Sequence, residues 1–370
     1  MKMKRTKSIT LFLLMSLVAI AQTTELTPEQ NLEDYDFAVK YIEDNYSGFP
    51  DKVTAKTSAD YEWMKARLRN QVQQGERPAL DALGEYTAWF NDEHLAVHFY
   101  FRGERGVLIG LTDRYNTRRA RIYYENKMEY DPRPVACKVT DKTFLIRFPS
   151  CGGDKPDLKW IKQSVKKFKK SHCENLVIDI RGNGGGDDRN WYPYLKLLCD
   201  HNAWEPNSEY RNTPQNIACV KEYKWPIANA LQKESLKHPD ADFLMGGLFT
   251  RVRVRKADKT VRRAALIIDN KVASSGEGLV LALKRYSDRV TVYGRDNSLG
   301  CLDYANVATI KLKHSGHTFQ MPMSRKFGLP ENGIDATGIA PDVRIDLPLP
   351  AKLTDNIDEW TIWVAEQLEK

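Results

Sequence analysis

Residues 264–287 read AALIIDNKVASSGEGLVLALKRYS, and this stretch decides the fold. Ala264 to Ile268 is a short apolar run with β-branched residues, the pattern of a buried strand. Asp269 to Lys271 is a polar turn. Val272-Ala273-Ser274-Ser275-Gly276-Glu277 follows, and then Leu279, Val280, Leu281 and Leu283 in helical spacing. A serine at a strand-to-helix junction is well placed to act as a nucleophile. The turn exposes its hydroxyl, and the helix start supplies free N–H groups for a developing oxyanion. Ser274-x-x-Glu277 also reads as a capping box, which marks ordinary helix starts. Both readings stand at this point.

Moving upstream, Phe144-Leu145-Ile146-Arg147-Phe148 is a second buried-strand run. Residues 157–170 form an amphipathic helix carrying Leu158, Ile161, Val165 and Phe168. Asn175 to Ile180 is another strand. It runs into Arg181-Gly182-Asn183-Gly184-Gly185-Gly186 and then a helix around Tyr192 to Leu198. Strand, helix, strand, turn and helix in succession specify an α/β core. The glycine turn permits positive φ and close approach of main-chain N–H groups to a ligand. It is not a phosphate loop, because no Gly-Lys-Ser/Thr follows and Asp187-Asp188 would repel phosphate. GxGxxG is not matched either. A tight turn without further function is the competing reading.

Residues 200–254 are polar, with Pro206, Pro214, Pro226 and Pro239, and read as an insertion on the rim of the core. Downstream, Val290 to Tyr293 is a strand and strand-like segments continue to Phe327. Residues 338–345 lead out of the core. A terminal helix spans 355–369, with Ile357, Trp360, Val364 and Leu368 at spacings of three and four.

The chain opens with a targeting segment over residues 1–21. Lys2, Lys4, Arg5 and Lys7 precede an apolar core from Ile9 to Ile20, and Ala19-Ile20-Ala21 is a small-residue cleavage signal before Gln22. That core is short for a membrane span. The expectation is an exported protein, periplasmic or extracellular, with no membrane span. Residues 22–100 read as a small helical N-terminal domain. Phe37, Val39, Tyr41, Ile42, Tyr61, Trp63, Met64 and Leu68 recur at helical spacing and are expected in its core. Residues 101–140 form a short β-like connection. At the end of the helical part stands Asp92-Glu93-His94, before a strand-like alternation of Leu95, Val97 and Phe99. His94 therefore occupies a helix-to-strand turn and can point into a cleft. A lone histidine is more often a surface or satisfied core residue.

Loss of the four leader cations takes the formal charge from +7 to +3, which excludes a case for nucleic-acid binding on charge alone. Lys166 to Lys170 reads as the solvated face of a helix. No cysteine or histidine cluster has metal spacing, and no metal or cofactor is expected. The six cysteines allow 15 disulfide connectivities or none.

Five pieces now stand in order: DEHLAVHF at 92–99, FLIRFP at 144–149, LVIDIRGNGGG at 176–186, ALIIDNKVASSGEG at 265–278 and GIAPDV at 338–343. Together they resemble the tail-specific, or carboxy-terminal processing, serine peptidases, in the branch that includes the tricorn core and the retinoid-binding repeats of the eye. The resemblance implies an α/β fold with a crotonase-like core of β-β-α units over residues 141–350. It implies Ser274 as nucleophile, His94 as general base, and the N–H groups of Ser275 and Gly185 as the oxyanion hole. Many relatives carry a lysine after the nucleophile helix; Cys301 stands there here, which favours His94. Glu93, not serine, precedes His94. Asp335 is the nearest match to the branch's acid and Glu331 the second. The inserted peptide-binding module of many relatives finds no room in residues 100–140. The implied function is an exported serine endopeptidase acting on peptide or protein through an acyl-enzyme. A binding module for lipid or peptide on the same fold is the alternative.

Overall fold

The computed structural model describes residues 26–101, 107–110, 129–152, 158–200, 202–206, 208–245, 249–253 and 258–370. The leader expected over 1–21 and most of the connection at 101–140 lie outside these residues.

Four helices lead the described chain: α1 Pro28–Asn45, α2 Phe49–Lys52, α3 Ser58–Gln73 and α4 Ala79–Trp89. Helix α1 starts where its cap dictates. Thr27 Oγ1 accepts the Gln30 N–H at 3.2 Å, and Gln30 Oε1 accepts the Thr27 N–H at 3.0 Å, with Pro28 at the first position. Tyr35, Val39, Ile42, Tyr61, Met64 and Leu68 pack into one cluster. Phe37 and Trp63, expected inside with them, are 44% and 63% exposed. Each lies two positions from a buried tyrosine, on the other side of its helix.

Strands β1 Ala96–Phe101, β2 Val107–Gly110 and β3 Glu129–Tyr130 follow. Then come β4 Val135–Lys138, β5 Thr143–Arg147, α5 Leu158–Ser171, β6 Asn175–Asp179 and α6 Tyr192–Leu198. The next stretch holds β7 Ala203–Pro206, β8 Glu209–Arg211, α7 Pro214–Glu222, α8 Ala228–Lys237, β9 Phe243–Leu244 and β10 Phe249–Val252. The signature stretch forms β11 Arg263–Ile268 and α9 Ser275–Tyr286, followed by β12 Val290–Gly294. Strands β13 Tyr304–Lys311, β14 Thr318–Arg325, β15 Val343–Arg344 and β16 Lys352–Leu353, and helix α10 Glu359–Glu369, complete the chain.

The α/β core is a sheet of order β15-β12-β11-β6-β5-β4, parallel except for the edge strand β4. Its alternation divides two apolar faces. Ile146, Ile178, Leu266 and Val292 join a cluster that also holds residues of α5, α6 and α9. Leu145, Val177, Ile267 and Tyr293 join Trp360, Val364 and Leu368 of α10 in another. Both faces are covered, which is why these strands read as continuous apolar runs.

A second, antiparallel sheet centres on β14, which carries β13 along one edge and β1 and β8 along the other. Its buried Phe319, Met321 and Met323 pack with the N-terminal helices. Tyr210, Val220, Leu231 and Leu244 belong to the same cluster. Much of the segment read as an insertion on the rim of the α/β core thus packs with the N-terminal helices. Its period was obscured because its elements are short and bury one or two side chains each. All six cysteines are free thiols. Among the described residues no helix is long and apolar enough to cross a membrane.

Candidate active site

Ser274 lies between the C-terminal end of β11 and the first residue of α9. Its backbone has φ 51° and ψ −121°, a conformation that costs a non-glycine residue roughly 1–3 kcal/mol. Ordinary N-caps are extended, so this serine is held in its place by what surrounds it. From Val272 to Glu277 every other residue is buried, while Ser274 is half-buried and reachable. Ser275 is spent elsewhere: its hydroxyl donates to Asp188 Oδ1 at 2.6 Å and accepts from Trp191 Nε1 at 3.0 Å. Its backbone N–H is at the helix start.

The glycine turn after β6 packs directly on the turn of Ser274. The Ala273 N–H donates to the Asn183 carbonyl at 2.9 Å, and Asp269 Oδ1 accepts from Gly182 N at 3.1 Å and Lys271 N at 3.0 Å. Gly185 has φ +103°, and a Cβ on it would stand 2.7 Å from Ser274 Cβ. Only glycine fits there. The Gly185 N–H, expected to face an oxyanion, instead donates to Asn183 Oδ1 at 3.0 Å. Asn183, whose Nδ2 donates to the Phe148 carbonyl at 2.9 Å, is fully buried.

Glu277 is also fully buried. Its Oε2 accepts from Ser274 N at 3.1 Å and Cys301 N at 2.9 Å; its Oε1 accepts from Ser298 Oγ at 2.6 Å and Gly300 N at 2.7 Å. Burial pushes its carboxyl above the usual carboxylate range, against the pull of these donors. Cys301, where many relatives have lysine, is buried, and its thiol is pushed well above its ordinary value by burial and by Glu277 and Asp335.

The segment continues to Tyr304, whose carbonyl lies 2.6 Å from His94 Nδ1. A carbonyl only accepts, so Nδ1 carries the proton and Nε2 of a neutral ring is the acceptor. Asp92 Oδ1 accepts the His94 N–H at 2.8 Å, and Asp92 Oδ2 accepts the Tyr46 hydroxyl at 2.6 Å. His94 and Ser274 thus flank one segment, 298–304, although they are far apart in sequence.

The acid expected to orient His94 takes another role. Asp335 Oδ1 accepts the Asp303 N–H at 3.0 Å, and the Nδ1 bond of His94 goes to the Tyr304 carbonyl instead. Burial and the neighbouring Asp92 and Asp303 push Asp335 up to about 9, with Lys52, at 3.9 Å, opposing. A neutral carboxyl at neutral pH does not hold an imidazolium by charge. Glu331 is exposed.

Sequence reading missed the support beneath the glycine turn. Arg147, Asp179, Arg181 and Asp358 are all buried. Asp179 accepts from Arg147 Nε at 2.7 Å and Arg181 Nε at 2.9 Å; Asp358 Oδ2 accepts from both guanidinium groups at 2.9 and 2.7 Å. Asp358 also caps α10 through the Trp360 and Thr361 N–H groups. The signal was present: charges inside the apolar runs FLIRF and LVIDIR must be paired.

The profile of peptidase family S41 matches residues 142–345, more than half of the chain. The chain belongs to this family and is a serine-type peptidase. The resemblance read from the five motifs is borne out at that level. Among solved structures, mature CPAF has a TM-score of 0.60 at 13% identity, over 93% of this chain and 96% of its own. A protein from Parabacteroides merdae ATCC 43184 has a TM-score of 0.57 at 14% identity, over 87% and 90%. At these identities the likeness is one of fold. No curated protein matches the chain.

Proposed function

We propose that this peptidase is exported and cleaves peptide bonds through an acyl-enzyme, with Ser274 as nucleophile and His94 as general base. The observation that carries the reading is the strained, reachable Ser274, packed on a glycine turn and sharing the 298–304 segment with a histidine whose Nδ1 is already donated. Ser274 Oγ attacks the scissile carbonyl while its proton passes to His94 Nε2. The C–N bond breaks, and the proton returns to the leaving amine. Water then repeats the sequence and frees Ser274. The Ser275 N–H stabilises the oxyanion from the helix start. Gly185 supplies the second donor by exchanging its Asn183 bond for the oxyanion when substrate is seated. Tyr304 and Asp92 orient the base, and no role is assigned to Asp335 in direct contact with it.

A fluorophosphonate probe tests the nucleophile. The adduct should map to Ser274 and vanish in Ser274→Ala; full labelling of that variant would remove Ser274 from the mechanism. Export is supported by the leader pattern and is tested by sequencing the N-terminus of protein recovered outside the cytoplasm. Gln22 should come first; an intact Met1 on that material counts against it.

A further inference from the structure

A helix cap needs a carboxylate to satisfy one local donor. Glu277 satisfies four, and three of them lie 21, 23 and 24 residues further along the chain. The fourth is the N–H of Ser274 itself. We propose that Glu277 is a positioning residue for the hydrolysis, fixing the backbone of Ser274 against the segment that holds His94. The proposal rests on the reading of Ser274 and His94 given above.

The connection can be followed bond by bond. Glu277 Oε2 holds Ser274 N and Cys301 N, so the nucleophile and the segment share one oxygen. Oε1 holds Ser298 Oγ and Gly300 N, which sets the segment's rotation. Ser298 is fixed from outside: its Oγ accepts the Ile339 N–H at 2.7 Å and its N–H donates to the Ile339 carbonyl at 3.1 Å. The Leu299 N–H donates to the Val272 carbonyl at 2.8 Å, a second tie to the nucleophile turn. Three residues after Cys301 the same segment presents the Tyr304 carbonyl to His94. The base and the nucleophile come from different sheets, and Glu277 is the side chain that joins their supports. A helix start favours the anion there, since Glu277 is the third residue of α9.

Glutamine at 277 keeps the size and loses this pattern. Its amide –NH2 cannot accept. With –NH2 in the Oε2 position it would face two backbone donors that cannot turn. With –NH2 in the Oε1 position it keeps Ser274 and Cys301 and faces Gly300 N–H, and the segment must shift. A shift on the order of 1 Å at a reacting pair costs about 10–100-fold in rate.

The experiment is the saturation kinetics of fluorophosphonate labelling on the full chain, giving a binding constant and a maximal rate. Glu277→Gln should label to completion at Ser274, with the maximal rate about 10–100-fold lower and the binding constant within about twofold of wild type. Ser298→Ala, which removes one donor, should lower the maximal rate less, again without weakening binding. It decides the matter if Glu277→Gln does not fold. A wild-type maximal rate in the folded variants overturns the proposal. So does partial labelling in which the labelled fraction reacts at the wild-type rate, because Glu277 would then serve folding alone. Labelling of the wild type at a residue other than Ser274 is a separate failure, that of the nucleophile assignment.

Discussion

Gly185→Ala places a methyl group where the glycine turn meets the turn of Ser274. The added Cβ would lie 2.7 Å from Ser274 Cβ and 3.1 Å from both the Ala273 carbonyl oxygen and the Ser275 nitrogen. Carbon atoms pack best about 3.5–4.0 Å apart, so the turns must part by roughly 1 Å. The glycine turn has little freedom to retreat, because the Gly185 carbonyl accepts the Cys151 N–H at 3.0 Å. Alanine is also strained at φ +103°. Overpacking of this kind costs about 1–3 kcal/mol of stability, which a domain with cores on several faces can absorb. The larger effect is on the reaction. A displacement of this size costs about 100-fold, or about 2.7 kcal/mol of transition-state stabilisation. The assay is the maximal rate of fluorophosphonate labelling, with a thermal melt to verify folding. Gly184→Ala is the matched control: a Cβ there meets nothing within 4 Å, and its labelling rate should stay near wild type. A folded Gly185→Ala protein that labels within about threefold of wild type would refute the packing argument. Equal losses in both variants would refute it as well.

His94→Ala should lower peptide turnover by about 10²–10⁴-fold in a protein that still melts cooperatively; near-normal turnover assigns the base elsewhere. Asp335→Asn tests the displaced acid. The folded protein keeps the Asp335 proton up to about 9, whereas an unfolded aspartate loses it near pH 4, so stability falls as pH rises through that window. The variant should therefore gain melting temperature relative to wild type at pH 8 but not at pH 4, and should leave peptide turnover near that of wild type. Asp358→Ala leaves the two buried guanidinium groups of Arg147 and Arg181 with Asp179 as their one remaining carboxylate and uncaps α10, which should cost about 3–5 kcal/mol in chemical denaturation. In the wild type, Asp179 is pushed up by burial but held well below its ordinary value by Arg181 and Arg147, so its stabilisation is present above about pH 4 and lost as pH falls below it. A wild-type melt that loses no stability between pH 4 and pH 2, below the window in which Asp335 acts, would contradict that sign.

Local pattern was enough for much of this protein. Apolar runs of five or six residues, each followed by a turn and a helix, can be satisfied only by strands covered on both faces, and they specified the α/β core. Ser274 at a strand-to-helix junction and the glycines of 182–186 were visible for the same reason: a tight turn leaves its mark in residue type. The C-terminal helix was legible from Trp360, Val364 and Leu368, which lie on one face. What depended on tertiary structure was every relation between segments distant in sequence. Nothing local in 200–254 indicates that Tyr210, Val220 and Leu244 pack with the N-terminal helices. No spacing sets Asp179 and Asp358 around the same two guanidinium groups, or shows that His94 is oriented by the Tyr304 carbonyl and not by Asp335. The Ser274-x-x-Glu277 box looked like a helix cap because a cap is a local device. Its glutamate acquires four donors only when β12 leads residues 298–301 across the start of α9, and those contacts exist only in the folded chain.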